Sequence, residues 1–234
     1  MRRKGGLGFL PVRPRETAEE KFLGSLDLSN RVVYDIGGFE GVLTLFFASR
    51  AAKVITYEPN PRNHRCCIEN VKLNNLSNVR VLNRGLFSQA GQLEMTFDPL
   101  MPGAASANKE VCEQIESSVA TTSTVSITVE TLDSEIETLG LPPPDFIKID
   151  IEGMELEALR GMSHTLATHH PELFIELHGA EFADKTANAS AVIELLERTG
   201  YRIYDIENQK YLTCATLDVH PPSHLYCTSA AASK

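Results

Sequence analysis

Five acidic side chains and one histidine of this chain stand where apolar runs end. Asp35 closes Val32-Val33-Tyr34, and Glu58 follows Val54-Ile55-Thr56-Tyr57. Asp150 and Glu152 follow Phe146-Ile147-Lys148-Ile149, and Glu176 and His178 follow Leu173-Phe174-Ile175. In open α/β sheets the carboxyl ends of the strands are where ligands bind. Between Asp35 and the apolar stretch Val42–Phe47 lies Gly37-Gly38-Phe39-Glu40-Gly41, which reads as a tight turn into a helix. Glycines there let backbone N–H groups approach a ligand, and the helix N-terminus supplies positive dipole. An acid two residues before the first glycine repels a pyrophosphate and suits a cation. The expected ligand is therefore positively charged and bears a nucleoside. Glu58, at the tip of the next run, fits the vicinal hydroxyls of a ribose, because a carboxylate accepts two hydrogen bonds from a diol.

The elements that must hold these groups follow from the hydrophobic pattern. Residues 1–30 read as an arm with a lead helix near Glu19–Leu26. Strands are expected at Arg31–Tyr34, Lys53–Tyr57 and Asn78–Leu82, with a helix over Arg62–Leu73 after Pro59-Asn60-Pro61. A second set is expected at Asp145–Asp150, Glu172–Ile175, Tyr201–Ile206 and Tyr211–Leu217, with a helix capped at Thr131-Leu132-Asp133 and running to about Gly140, and helices over Met154–Met162 and Ala189–Thr199. This alternation predicts a Rossmann-like, seven-stranded, mostly parallel sheet covered by helices on both faces, with an antiparallel edge region. Residues 89–130 interrupt it. Gln92–Phe97 and Val125–Val129 alternate as strands around a Ser/Thr/Ala-rich stretch with a short helix expected at Lys109–Ile115. That stretch reads as a long inserted loop or hairpin on the substrate side of a single domain over 31–228.

Bulk properties exclude several classes. The 234 residues suffice for one substantial core, and 42% apolar with 23% charged residues is ordinary globular composition. A net charge of −9 argues against a nucleic-acid partner, which calls for a basic face. The five cysteines match no zinc or redox spacing and read as reduced thiols. No apolar run reaches the ~18 residues of a membrane span, and the start Met1-Arg2-Arg3-Lys4 lacks a signal-peptide core. These features point to a cytoplasmic protein with no stable membrane insertion; its oligomeric state is open.

Taken in order, the segments resemble a family. Asp35-x-Gly37-Gly38-x-x-Gly41 and Glu58-Pro59-Asn60-Pro61 resemble the first two motifs of class I S-adenosylmethionine-dependent methyltransferases. The run Phe146-Ile147-Lys148-Ile149-Asp150-Ile151-Glu152-Gly153-Met154-Glu155-Leu156-Glu157-Ala158-Leu159-Arg160-Gly161 resembles the signature of the FkbM family within that class. Thr131-Leu132-Asp133 and Glu176-Leu177-His178 match the same pattern. Gly38-Phe39-Glu40 departs from the Ala and Asn usual after the first glycine, although the glycine turn is retained.

The resemblance implies S-adenosyl-L-methionine as cofactor, held by Asp35, Gly37, Gly38, Phe39, Gly41, Glu58, Pro59, Asn60 and Asp150. It implies methyl transfer to an oxygen of a small-molecule hydroxyl acceptor, such as a sugar or secondary metabolite. A hydroxyl is a poor nucleophile until its proton leaves, and His178, Asp150, Glu152 and Glu176 are the candidate catalytic groups. His178 has the ordinary pKa of a base near neutrality. A divalent cation on Asp150, Glu176 and His178 is the alternative, less favoured than base catalysis. Lys148 is expected as a buried ion-pair partner of Asp150, and Glu155 as a helix-start acid. Two other functions compete: an NAD-dependent oxidoreductase on a related sheet, and a catalytically inactive binding module.

Overall fold

The computed structural model describes residues 16–97, 105, 106, 112, 122–217 and 221–229. Its centre is built from the most apolar runs. Strands β1 (Val32–Ile36), β2 (Lys53–Tyr57), β3 (Val79–Leu82), β8 (Phe146–Ile149) and β9 (Glu172–Glu176) run parallel in the spatial order β9-β8-β1-β2-β3. Their side chains alternate between faces. Tyr34, Ile36, Ile55, Tyr57, Ile147, Ile149 and Leu173 pack on one side with residues of Leu132–Leu139, Glu155–Arg160, Ser163–His169 and Phe182–Arg198. Val33, Val54, Phe146 and Phe174 pack on the other with α1 (Ala18–Ser25) and α2 (Val42–Ala48). The mostly parallel sheet covered on both faces is thus as expected.

The far edge differs from expectation. The strand predicted at Tyr211–Leu217 shrinks to β11 (Lys210–Leu212), followed by a 3-10 turn at Cys214–Thr216. β12 (His224–Ser229) inserts between β9 and β10 (Tyr201–Asp205), antiparallel to both. Among the described residues the main sheet therefore has eight strands rather than seven. β12 was not among the expected strands, yet Leu225, Cys227 and Ser229 alternate inward between β9 and β10. The helix expected over Met154–Met162 is Glu155–Arg160, and a further helix that was not expected follows at Ser163–His169.

The interrupting segment forms a second sheet, β4 (Gly85–Leu86), β5 (Gly91–Phe97), β6 (Ala105–Ser106) and β7 (Ser123–Glu130), in the order β4-β7-β5-β6. The two strands expected there pair antiparallel, Leu93 opposite Ile127 and Met95 opposite Val125. Met95, Ile127 and Val129 form a small buried cluster of their own. The helix expected at Lys109–Ile115 lies outside the described residues except for Cys112. All five cysteines are free. No helix among the described residues is long and apolar enough to cross a membrane.

Candidate active site

The register of the central strands fixes the site. Asp35 sits between Thr56 of β2 and Lys148 of β8. It is 0% exposed, and Thr44 donates a 2.6 Å hydrogen bond to its Oδ2. Burial raises the Asp35 pKa, against the opposing pull of Lys148 and the Thr44 bond. Asp35 therefore lies behind the glycine turn and not on the cleft wall, contrary to the direct ligand contact expected of it. Lys148 Nζ stands 2.9 Å from Asp150 Oδ2 and 3.9 Å from Asp35 Oδ1, and donates to the Gly37 carbonyl at 3.3 Å. Burial would lower its pKa, but Asp150 and Asp35 outweigh that and hold it raised. It is the buried ion-pair partner the sequence suggests.

The turn itself is turned inward. Gly37 N–H and Gly38 N–H both donate to the Tyr57 carbonyl, Gly41 N–H to the Gly38 carbonyl, and Phe39 N–H to Glu58 Oε2 at 2.8 Å. Those four donors are spent on the protein, a correction to the expectation that they would meet a ligand. Gly37 is required sterically. Its φ is +85°, and an added Cβ would stand 1.8 Å from the Asp150 carbonyl oxygen. Close contact between the turn and the tip of β8 thus depends on that glycine.

A cleft with a cavity volume of about 220 Å³ runs along the strand tips. Gly37, Phe39, Glu58, Pro59, Asp150 and Glu152 line it; Gly38, Gly41 and Asn60 do not. Asn60 instead caps the following helix through Arg62 N–H at 2.9 Å. The small sheet contributes an apolar wall of Leu93, Met95, Ile127 and Val129. Arg84, also on the wall, is ion-paired to the buried Glu135. Glu58 is 5% exposed, and its other oxygen accepts Asn60 N–H at 2.8 Å. Burial pushes its pKa up to about 7, although the Asn60 and Phe39 N–H groups oppose the rise. The Asn63 side chain, also on the cleft wall, hydrogen-bonds the same carboxylate.

At the other end the acids converge on His178. Its Nδ1 lies 3.2 Å from Glu155 Oε1, and its Nε2 lies 3.4 Å from Glu176 Oε1, 3.7 Å from Glu152 Oε2 and 3.8 Å from Asp150 Oδ1. Burial alone would lower the His178 pKa. Bonding to Glu155 and Glu176 and the charges of Glu152 and Asp150 outweigh it and push the pKa up to about 11. His178 is thus an imidazolium at neutral pH, which corrects its assignment as the general base. Burial raises Glu152 to about 7, with His178 pulling it down and Asp150 and Glu176 pushing it up. Glu152 also has φ +53°, an uncommon region for a residue with a Cβ. Glu176 is held low: burial would raise its pKa, but bonding to His178 and His224 prevails. Asp150, Glu176 and His178 present ligand atoms within 4.8 Å of one another.

Two members of this cluster were misread or missed in sequence. Glu155 is 0% exposed and is not a mere helix-start acid. It accepts from Asn188 at 2.6 Å and from Gly153 N–H at 2.9 Å while facing His178. Its position three residues after Glu152 gives both roles the same pattern. His224 reaches the cluster only because β12 pairs with β9, placing it opposite Glu176.

The order of these features matches one protein family over most of the chain. A family model described as Methyltransferase FkbM domain matches residues 35–203. The chain belongs to the FkbM methyltransferase family. The family is one of S-adenosylmethionine-dependent methyltransferases. Among curated proteins, Methyltransferase 1 of Beauveria bassiana is 27% identical over 184 residues, covering 73% of this chain and 72% of its own. Hexuronic acid methyltransferase AglP of Haloferax volcanii is 30% identical over 149 residues, covering 63% of this chain and 56% of its own. The crystal structure of Methyltransferase FkbM from Methylobacillus flagellatus KT superposes with a TM-score of 0.53 at 22% identity, over 87% of this chain and 45% of that one. The chain thus spans about half the length of that protein and of AglP. At that identity the superposition speaks for the fold alone.

Proposed function

We propose that this FkbM-family protein binds S-adenosyl-L-methionine in the cleft between Glu58 and Asp150 and methylates a hydroxyl of a small, uncharged acceptor such as a sugar or secondary metabolite. The observation that carries the reading is the inward-facing glycine turn. The four engaged N–H groups leave no cradle for a pyrophosphate, whereas the cleft is acid-rimmed at Glu58, Asp150 and Glu152. Those residues fit the cofactor, whose ribose diol needs an acceptor and whose sulfonium and amino groups are cationic. When bound, it supplies an electrophilic methyl group.

The chain's own groups divide the remaining work. Glu58 accepts hydroxyl protons of the ribose, and Gly37, Phe39 and Pro59 shape the wall beside it. Glu152, on the cleft wall with a pKa of about 7, takes the acceptor's hydroxyl proton. His178 holds Glu152, Glu176 and Asp150 in place by its positive charge. Asp35 and Lys148 brace the turn against β8. Asp150 already pairs with Lys148, and His178 with Glu155. Those pairings favour base catalysis over a cation on Asp150, Glu176 and His178. The excess of carboxylates at this end disfavours an anionic acceptor such as a hexuronate.

Calorimetry separates this reading from an NAD-dependent oxidoreductase. S-adenosylhomocysteine is expected to bind one to one, and NAD not at all. Binding of NAD with no response to S-adenosylhomocysteine overturns the proposal.

A further inference from the structure

We propose, resting on the cofactor reading above, that Tyr57 and Glu135 form a polar station at the rear of the cleft that selects the amino-bearing edge of the cofactor's adenine. Two buried atoms point to it. Tyr57 Oη and Glu135 Oε2 are shut off from solvent, and neither has a hydrogen-bond partner among the described residues. Their residues are 0% and 1% exposed. A buried hydroxyl or carboxylate oxygen left unmet costs stability, so such atoms call for a group that arrives from outside.

The sheet order places this pair where the base must go. Glu58, which takes the ribose, stands at the tip of β2. Asp150 and Glu152 follow β8 on one side of it, and Arg84 and Gly85 follow β3 on the other. A cofactor whose sulfonium lies toward Asp150 and Glu152 therefore extends its base toward β3. Tyr57, next to Glu58 in the chain, lines the cleft, and Leu86, Ile127 and Val129 offer apolar surface to a flat ring.

Arg84, also on the cleft wall, pairs with Glu135 Oε1 and holds that carboxylate beside the wall while Oε2 is left unmet. The Glu135 charge reaches the Tyr57 hydroxyl. Burial first, and then Glu135, raise the Tyr57 pKa, so the hydroxyl keeps its proton. A phenol can donate, and a carboxylate only accepts. Adenine presents the complement, a ring nitrogen that accepts beside an exocyclic amino group that donates. Hypoxanthine reverses both, with a ring N–H that donates and a carbonyl oxygen that accepts. Tyr57 Oη donating to the ring nitrogen and Glu135 Oε2 accepting from the amino group therefore favour adenine over hypoxanthine.

Calorimetry of the full chain with S-adenosylhomocysteine and with S-inosylhomocysteine, which differ only at that edge, tests this. The wild type should bind the adenosyl compound more tightly by on the order of 100-fold or more. Tyr57→Phe removes only an unmet hydroxyl. Its melting temperature should equal or exceed that of the wild type, while its affinity for S-adenosylhomocysteine falls about two- to tenfold. Glu135→Gln, whose amide can donate to a carbonyl, should narrow the preference to less than about tenfold. Tyr57→Phe decides the matter even if Glu135→Gln does not fold. Equal affinity of the wild type for the two compounds overturns the proposal and leaves cofactor binding standing. So does unchanged S-adenosylhomocysteine affinity in Tyr57→Phe, or an unchanged preference in folded Glu135→Gln. Failure of the wild type to bind either compound overturns the cofactor reading, and this proposal with it.

Discussion

Glu58 joins the fold and the proposed cofactor site in one carboxylate, and its ionisation makes a sharp prediction. Burial raises its pKa to about 7, so the empty cleft holds a mixture of carboxylate and carboxylic acid near neutrality. If ribose binding requires the carboxylate, apparent affinity scales with the ionised fraction. That fraction is about a tenth at pH 6 and about nine-tenths at pH 8. S-adenosylhomocysteine should therefore bind about tenfold more tightly at pH 8 than at pH 6. Glu58→Gln should flatten this dependence. It should also weaken binding at pH 8 by roughly 1–3 kcal/mol, because an amide can accept only one of the two N–H groups from Phe39 and Asn60. Isothermal titration calorimetry at several pH values reads both effects. Equal affinity at pH 6 and pH 8 in the wild type, or an unchanged slope in Glu58→Gln, refutes the reasoning.

Two further predictions concern the opposite end of the cleft. Replacing Glu152 with Gln should cut the methyl-transfer rate on the order of 10²–10⁴-fold while leaving S-adenosylhomocysteine affinity unchanged. The wild-type rate should climb as pH rises through about 7, where Glu152 loses its proton; a pH-independent rate counts against Glu152 as the base. His178 has a folded pKa raised to about 11, so its stabilising contribution is fully present below its ordinary value of 6.5 and fades only as pH rises toward 11. His178→Leu removes the cation facing the buried Glu155 and should cost roughly 3 kcal/mol at pH 7, read by urea unfolding; a neutral outcome would mean that the Asn188 and Gly153 donors alone satisfy Glu155.

The legibility of the site differed from element to element. Local pattern sufficed for the strand tips, because a strand's apolar run must end where the chain leaves the core, and the polar residue there is exposed to the crevice. Glu58, Asp150, Glu152, Glu176 and His178 were placed at such tips from sequence, and the glycine turn and the two strands of the inserted hairpin were also located; Asp35, expected at a tip, lies inside β1 and is buried. Local pattern failed wherever a role depends on a partner distant in the chain. His224 enters the site only because β12 pairs with β9. Glu155 looked like a dipole-satisfying acid until Phe182–Arg198 supplied Asn188 and β9 led into His178.

The sequence by itself determined the central elements, their order and the family, since hydrophobic period, turn chemistry and motif order are properties of contiguous residues. Only the tertiary structure decided the charge states. It buried Asp35 behind the turn, spent four of the turn's N–H groups on protein acceptors and put four carboxylates around one imidazole. Protonation follows from desolvation and neighbouring charge, and both are set by residues far apart in the chain. His178 therefore could not be distinguished from a neutral base until its surroundings were assembled.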